Sequence, residues 1–202
     1  MKAFNNYEEA KKSAQFTGSS QLPEGAYVAK VMAVRYEEGS DGISDRIQVQ
    51  FDITEGEYKG FFKNQYDNND AEDKKWKGKT TIYVPNDDGS EKDGWTKNTF
   101  AKWTNSFEKS NKGYSWDWDE SKWKGKTIGL VFRKTGTVIE GKEVIYTEVA
   151  FPIDAETVRA GKAPEAKFKA KNGYKGNQQT STARGSEDFM KVADTNEEEI
   201  PF

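Results

Sequence analysis

The sequence predicts a mainly β fold: a five-stranded Greek-key barrel with one helix between its third and fourth strands, followed by a tail that forms no core. Three observations point there. One stretch alternates apolar and polar residues with period two, another spaces large apolar residues as a helix does, and the composition changes after Gly161. At 202 residues the chain has room for one domain plus extras. Its hydrophobic content is 34% and its aromatic content 13%, so the expected core is small and weighted to rings.

Taken in order, residues 1–19 form an N-terminal extension in which Asn6 is placed to cap a helix, with Glu9 reaching back. GAYVAKVMAVRY reads as the first strand, and EEGSDGISD as the polar loop that follows it. In RIQVQFDI, Ile47, Val49, Phe51 and Ile53 alternate with Arg46, Gln48, Gln50 and Asp52, the pattern of a half-buried strand. EGEYKG turns the chain into FFKNQY, expected as a third strand or its beginning. After a polar stretch, TTIYVP is a further strand segment, ended by Pro85 as an edge strand is. NDDGSEKDG reads as a loop. Phe100, Trp103 and Phe107 then line one face of a helix ending near Asn111 and Gly113, which assigns Trp103 to the core.

Two more strands follow: TIGLVFRK, with Ile128, Leu130 and Phe132 on one face, and EVIYTEVAF, with Ile145, Thr147, Val149 and Phe151. Asp154 caps a last short helix and Gly161 ends it. KWKGKT occurs at 75–80 and again at 122–127, each time leading into a strand, with Gly78 and Gly125 at the turn. Two copies indicate a shared way of starting a strand rather than a repeat architecture. This order of strands and helix is that of the OB-fold, placed at residues 20–161; a sandwich with an inserted helix would produce the same string.

Absences narrow the function. With no Cys and no His there is no thiol nucleophile, no Ser-His-Asp relay and no histidine or cysteine metal site. A binding protein without cofactor or metal is expected, not an enzyme. No apolar run is long enough to span a membrane and no apolar segment follows the N-terminal residues, so the chain reads as cytoplasmic.

Beyond Gly161 large apolar residues are few, and residues 162–196 are expected to be a disordered linker. Lys162, Lys167, Lys169, Lys171, Lys175 and Arg184 come first; Glu187, Asp188, Asp194 and the run Glu197, Glu198, Glu199 come late, followed by Ile200, Pro201 and Phe202. An acidic run closed by Ile-Pro-Phe resembles the C-terminal tip of bacterial single-stranded-DNA-binding proteins. EGAYVAKVMAV, FDITEGEYKG and WKGKTIGLVF resemble segments of phage-encoded single-stranded-DNA-binding proteins first catalogued as a domain of unknown function.

The resemblance implies an OB-fold that coats single-stranded DNA, and a tip, 197–202, docked by replication, recombination and repair proteins. It implies the cytoplasm of a bacterial host, in phage or prophage DNA metabolism. Because the core resembles the phage group rather than the bacterial one, the bacterial tetramer is not implied, and oligomeric state is left open. Burying a terminal Phe contributes about 1.5 to 3 kcal/mol, and ordering the tail brings expected affinity to the order of micromolar.

Sequence-tolerant binding to single strands needs rings for stacking and cations along the backbone. The candidates are Arg46, Gln48 and Gln50 on the second strand; Phe62, Lys63 and Tyr66 after it; Trp76 and Tyr83; Arg133, Lys134 and Lys142 flanking the loop between the last two strands; and Tyr146. The net charge of −3 allows a basic footprint only as a local patch. Rival readings are a carbohydrate module with Trp platforms, a magnesium enzyme built on SWDWDES or PNDDGSEKDG, and an adaptor that binds host proteins through the tip without binding DNA. The first leaves the tip unexplained, and neither acidic stretch has the spacing of a calcium loop.

Overall fold

A computed structural model describes residues 21–40 and 44–176. The expected N-terminal helix within 1–19, the later part of the linker and the tip at 197–202 lie outside the described residues. The elements are β1 (Gly25–Glu37), β2 (Arg46–Ile53), α1 (Phe61–Asp67), β3 (Lys79–Tyr83), α2 (Glu91–Ser110), a 3-10 turn (Glu120–Trp123), β4 (Thr127–Ile139), β5 (Lys142–Ile153), α3 (Ala155–Arg159) and β6 (Lys169–Ala170).

The alternation along RIQVQFDI is realised in β2, where Ile47, Val49, Phe51 and Ile53 are at most 2% exposed. Asp52, on the opposite side, is buried too. Its carboxylate accepts from the backbone N–H groups of Ile53, Phe62 and Lys63 at 2.9, 3.0 and 3.3 Å. Two of those donors open α1, so FFKNQY is a helix rather than the expected strand: Asp52 satisfies N–H groups that a helix start leaves unpaired. Burial pushes the Asp52 carboxyl above its usual range, and the three N–H bonds oppose that.

The helix expected around Phe100 starts earlier than its apolar spacing indicates, at Glu91, because Ser90 caps it by accepting from the Asp93 N–H at 3.1 Å. Phe100, Trp103 and Phe107 are buried, and Phe107 stacks on Trp123 at 4.6 Å between ring centroids. α2 lies against β3, β4, β5 and α3. Asp154 caps α3, accepting from the Thr157 N–H at 2.8 Å, and Gly161 after it has φ +67°.

The strands form a six-stranded sheet in the order β3-β2-β1-β4-β5, antiparallel throughout, with β6 added parallel to β4. No ladder joins β3 to β5 among the described residues. The molecule is therefore a mixed α/β structure on an open sheet, and the expected barrel is not closed. A cleft occupies that seam, with Phe61 and Phe62 of α1 in its lining, where direct contact between the two edges would have to form. Within the stretch expected as a linker, Lys169–Ala170 form β6 and pair with Thr135 and Gly136 of β4. Among the described residues no helix is long and apolar enough to cross a membrane.

Candidate functional site

The open seam is a cleft of about 650 Å³. Consecutive residues of both bordering strands line it, Lys79, Thr80 and Thr81 from β3 and Tyr146, Thr147, Glu148 and Val149 from β5. Neighbouring side chains in a strand point to opposite faces, so a surface touched by all of them runs along the strand edges. Leu22, Phe51, Phe61, Phe62 and Phe132 form the apolar floor, with Gln21, Gln48, Gln65 and Lys77 around it.

Hydrogen-bond parity tells which backbone groups face the seam. Val84 N donates to Asp45 O and Phe51 N to Gly78 O, both at 2.8 Å, bracketing the β2–β3 ladder. Bonded and unbonded pairs alternate in an antiparallel ladder, so Thr81 and Tyr83 turn their N–H and C=O away from β2. Across the cleft, Gln21 Nε2 donates to Ile145 O at 3.0 Å, which shows that Ile145, and by the same alternation Thr147, turn theirs away from β4. Two strand edges with outward backbone groups thus border an aromatic floor.

The walls differ in charge. On the β3 side Lys77 and Lys79 are exposed and make no ion pair among the described residues. On the β5 side Glu148 is bridged by Arg133 Nη2 at 3.0 Å and Lys171 Nζ at 2.9 Å, and accepts from the Tyr146 hydroxyl at 3.4 Å. Burial alone would raise the Glu148 carboxyl, but hydrogen bonds led by Lys171 outweigh it, Arg133 among them, and hold it below the usual range. Rings, amides and separated cations suit a ligand with flat faces, hydrogen-bonding edges and distributed negative charge. Among the described residues no group of acidic side chains is arranged to hold a metal ion.

The structure gathers some of the sequence-predicted residues and scatters others. Gln48, Phe62 and Tyr146 line the cleft; Phe62, 7% exposed, is part of its floor, edge-on to Phe51 at 5.5 Å. Tyr66 lies 5.8 Å from Trp76, with Lys74 4.7 Å over its ring. Trp76 clasps the floor, its Nε1 donating to Phe51 O at 3.1 Å and Gly78 O at 3.0 Å. Arg133 reaches the cleft through Glu148. Gln50 is exposed on β2 opposite Lys79. Arg46, opposite Tyr83, is bound to Glu37 at 2.6 Å; Lys63 pairs with Asp67, and Lys134 with Glu24 at 3.6 Å. Lys142 sits at the β4–β5 turn, away from the other candidates.

Sequence reasoning passed over Lys77, Lys79, Gln65, Thr81, Thr147, Glu148 and Lys171. An outer-face criterion selects alternate residues, whereas a strand edge exposes consecutive ones. The available signal was the pair of lysines flanking Gly78 in KWKGKT. Neither a protein-family model nor a curated protein matches the chain.

Proposed function

We propose that this protein coats single-stranded DNA without sequence preference, holding the strand along the seam between β3 and β5, and recruits partner proteins through residues 197–202. The observation that carries the reading is the cleft, whose aromatic floor and lysine-and-amide rim lie between two strand edges. The strand order, with α2 between β3 and β4, supports an OB-type topology, a five-stranded and partly open Greek-key design. Bases stack on rings reachable from the cleft at ~1 to 3 kcal/mol each, while Lys77 and Lys79 meet phosphates. With a net charge of −3 the cationic surface is local, so salt dependence is moderate.

The docking role of Glu197, Glu198, Glu199, Ile200, Pro201 and Phe202 rests on the sequence resemblance, as does the setting: phage or prophage replication, recombination or repair in the cytoplasm of a bacterial host. In this reading the protein is not an enzyme and needs no cofactor. The test is fluorescence titration of the full chain with an unstructured oligothymidine and with a duplex of equal length, at low and moderate salt. The six tryptophans report stacking as quenching. Quenching by the single strand in preference to the duplex supports the reading; no binding to either replaces it with the adaptor that engages host proteins without DNA.

A further inference from the structure

The rings that floor the seam are closed to a ligand. Phe51, Phe61, Phe62 and Phe132 are at most 7% exposed, which leaves no ring face open to a base. Stacking has to use the more exposed rings at the rim. Tyr146, half-buried on the β5 wall, is one of them. On the β3 side such rings stand at the two ends of the strand, Tyr83 at one and Tyr66 beside Trp76 at the other.

The two ends differ in uncommitted positive charge. Arg46, opposite Tyr83, is bound to Glu37 at 2.6 Å, and Arg35 Nε reaches the same carboxylate at 3.5 Å. At the other end the chain runs Lys74, Lys75, Trp76, Lys77, Gly78, Lys79. None of these four lysines is in an ion pair among the described residues, although Lys63 on α1 is paired with Asp67.

Trp76 fixes the position of this run. Its Nε1 donates to one carbonyl of β2, Phe51 O at 3.1 Å, and to one at the entry to β3, Gly78 O at 3.0 Å. The indole is thereby held beside the cleft, where Lys77 and Lys79 line the rim. Tyr66 lies 5.8 Å from it with the ring planes at 46°, and the Lys74 ammonium sits 4.7 Å over the Tyr66 ring. A partly exposed cation–π contact is weaker than the stacking of a base, so a nucleotide displaces Lys74 from the ring and offers it a phosphate in exchange. Asp70, Glu72 and Asp73, exposed just before Lys74, end the track there.

We propose that Tyr66, Trp76, Lys74 and Lys75 form a second station for the single strand, outside the seam and continuous with it at Lys77 and Lys79. The strand leaves the cleft at the start of β3, stacks a base against Tyr66 and Trp76, and passes its phosphates along the four lysines. The inference rests on the proposed DNA binding and extends it: the footprint exceeds the cleft, and strands too short to reach the second station bind by the seam alone.

The experiment titrates the full chain with oligothymidines of about 4 to about 16 nucleotides across a salt series. Wild type is compared with Tyr66→Leu, Lys74→Gln/Lys75→Gln, Lys77→Gln and Lys124→Gln, and the thermal unfolding of each is recorded. On the longer strands the double variant is expected to lower the slope of log affinity against log salt by about 1.4, and Tyr66→Leu to weaken binding by at least about fivefold. On the shortest strands both match wild type, whereas Lys77→Gln lowers the slope at every length. The lysine variants keep the wild-type unfolding midpoint, so the double variant decides the matter if Tyr66→Leu is unstable. An unchanged slope on long strands overturns the second station, as do losses that are equal at all lengths or that Lys124→Gln reproduces; the seam reading survives these outcomes if Lys77→Gln still acts. Binding of no strand by wild type overturns both.

Discussion

The hexapeptide KWKGKT occurs twice and is used in two different ways. Both copies lead into a strand, β3 from Lys79 and β4 from Thr127. In the first, Trp76 is half-buried and its indole N–H is shared between two carbonyls. In the second, Trp123 is 0% exposed, stacked on Phe107 at 4.6 Å and 5.0 Å from Trp116. The glycines differ as well. A Cβ on Gly78 would collide with the Phe51 carbonyl and lie 2.7 Å from the Phe62 ring, whereas Gly125 has open space but φ +81°. Lys77 and Lys79 face the cleft, while Lys122 is held by Asp117 and Asp119 and Lys126 lies 4.0 Å over the Tyr114 ring. A short sequence sets how a strand begins; what packs on it decides whether its ring is core or clasp and whether its lysines are committed.

The largest expected effect that sharpens this contrast is Trp123→Ala, which empties the centre of an aromatic stack and costs about 3 to 5 kcal/mol by urea unfolding. Trp76→Ala, at a half-buried site, is expected to cost clearly less; equal losses would break the distinction between core and clasp. Gly78→Ala forces backbone or the Phe62 ring to shift and costs about 1 to 3 kcal/mol, with perturbed binding, because Phe62 lines the cleft. Gly125→Ala carries only the left-handed backbone penalty, about 1 to 2 kcal/mol, and leaves single-strand affinity unchanged in the same titration. Smallest in stability are Lys77→Gln and Lys79→Gln, expected within about 0.5 kcal/mol of wild type, yet each lowers the salt slope of oligothymidine binding by about 0.7. Lys124→Gln, exposed in the other copy, changes neither; a matching loss there would remove the first copy's special role.

Legibility followed the range over which each decision is made. β2 was visible because its partners share one alternating face, and the Phe100, Trp103 and Phe107 face of α2 because one side packs on the sheet. The start of that helix was hidden by Gly94 and neighbouring acidic residues, which resemble a loop until Ser90 is seen to cap them. FFKNQY carries aromatic residues that favour strands, and only the buried Asp52 carboxylate reveals the helix start. Of the site, Gln48, Phe62 and Tyr146 were named from the sequence and meet in the cleft, but Phe62 is there as floor rather than as an outer-face ring.

By itself the sequence determined what neighbouring residues settle among themselves: the β2 alternation, the apolar face of α2, the Asp154 cap of α3, and the absence of thiol and imidazole chemistry. Tertiary structure alone decided that β3 and β5 stay apart, that Glu148 gathers Arg133 and Lys171, and that Tyr174 packs on Gly136. Those outcomes depend on groups far apart in the chain competing for the same edges and charges. Local periodicity carries no record of that competition, because it is resolved only when the strands have been brought into register.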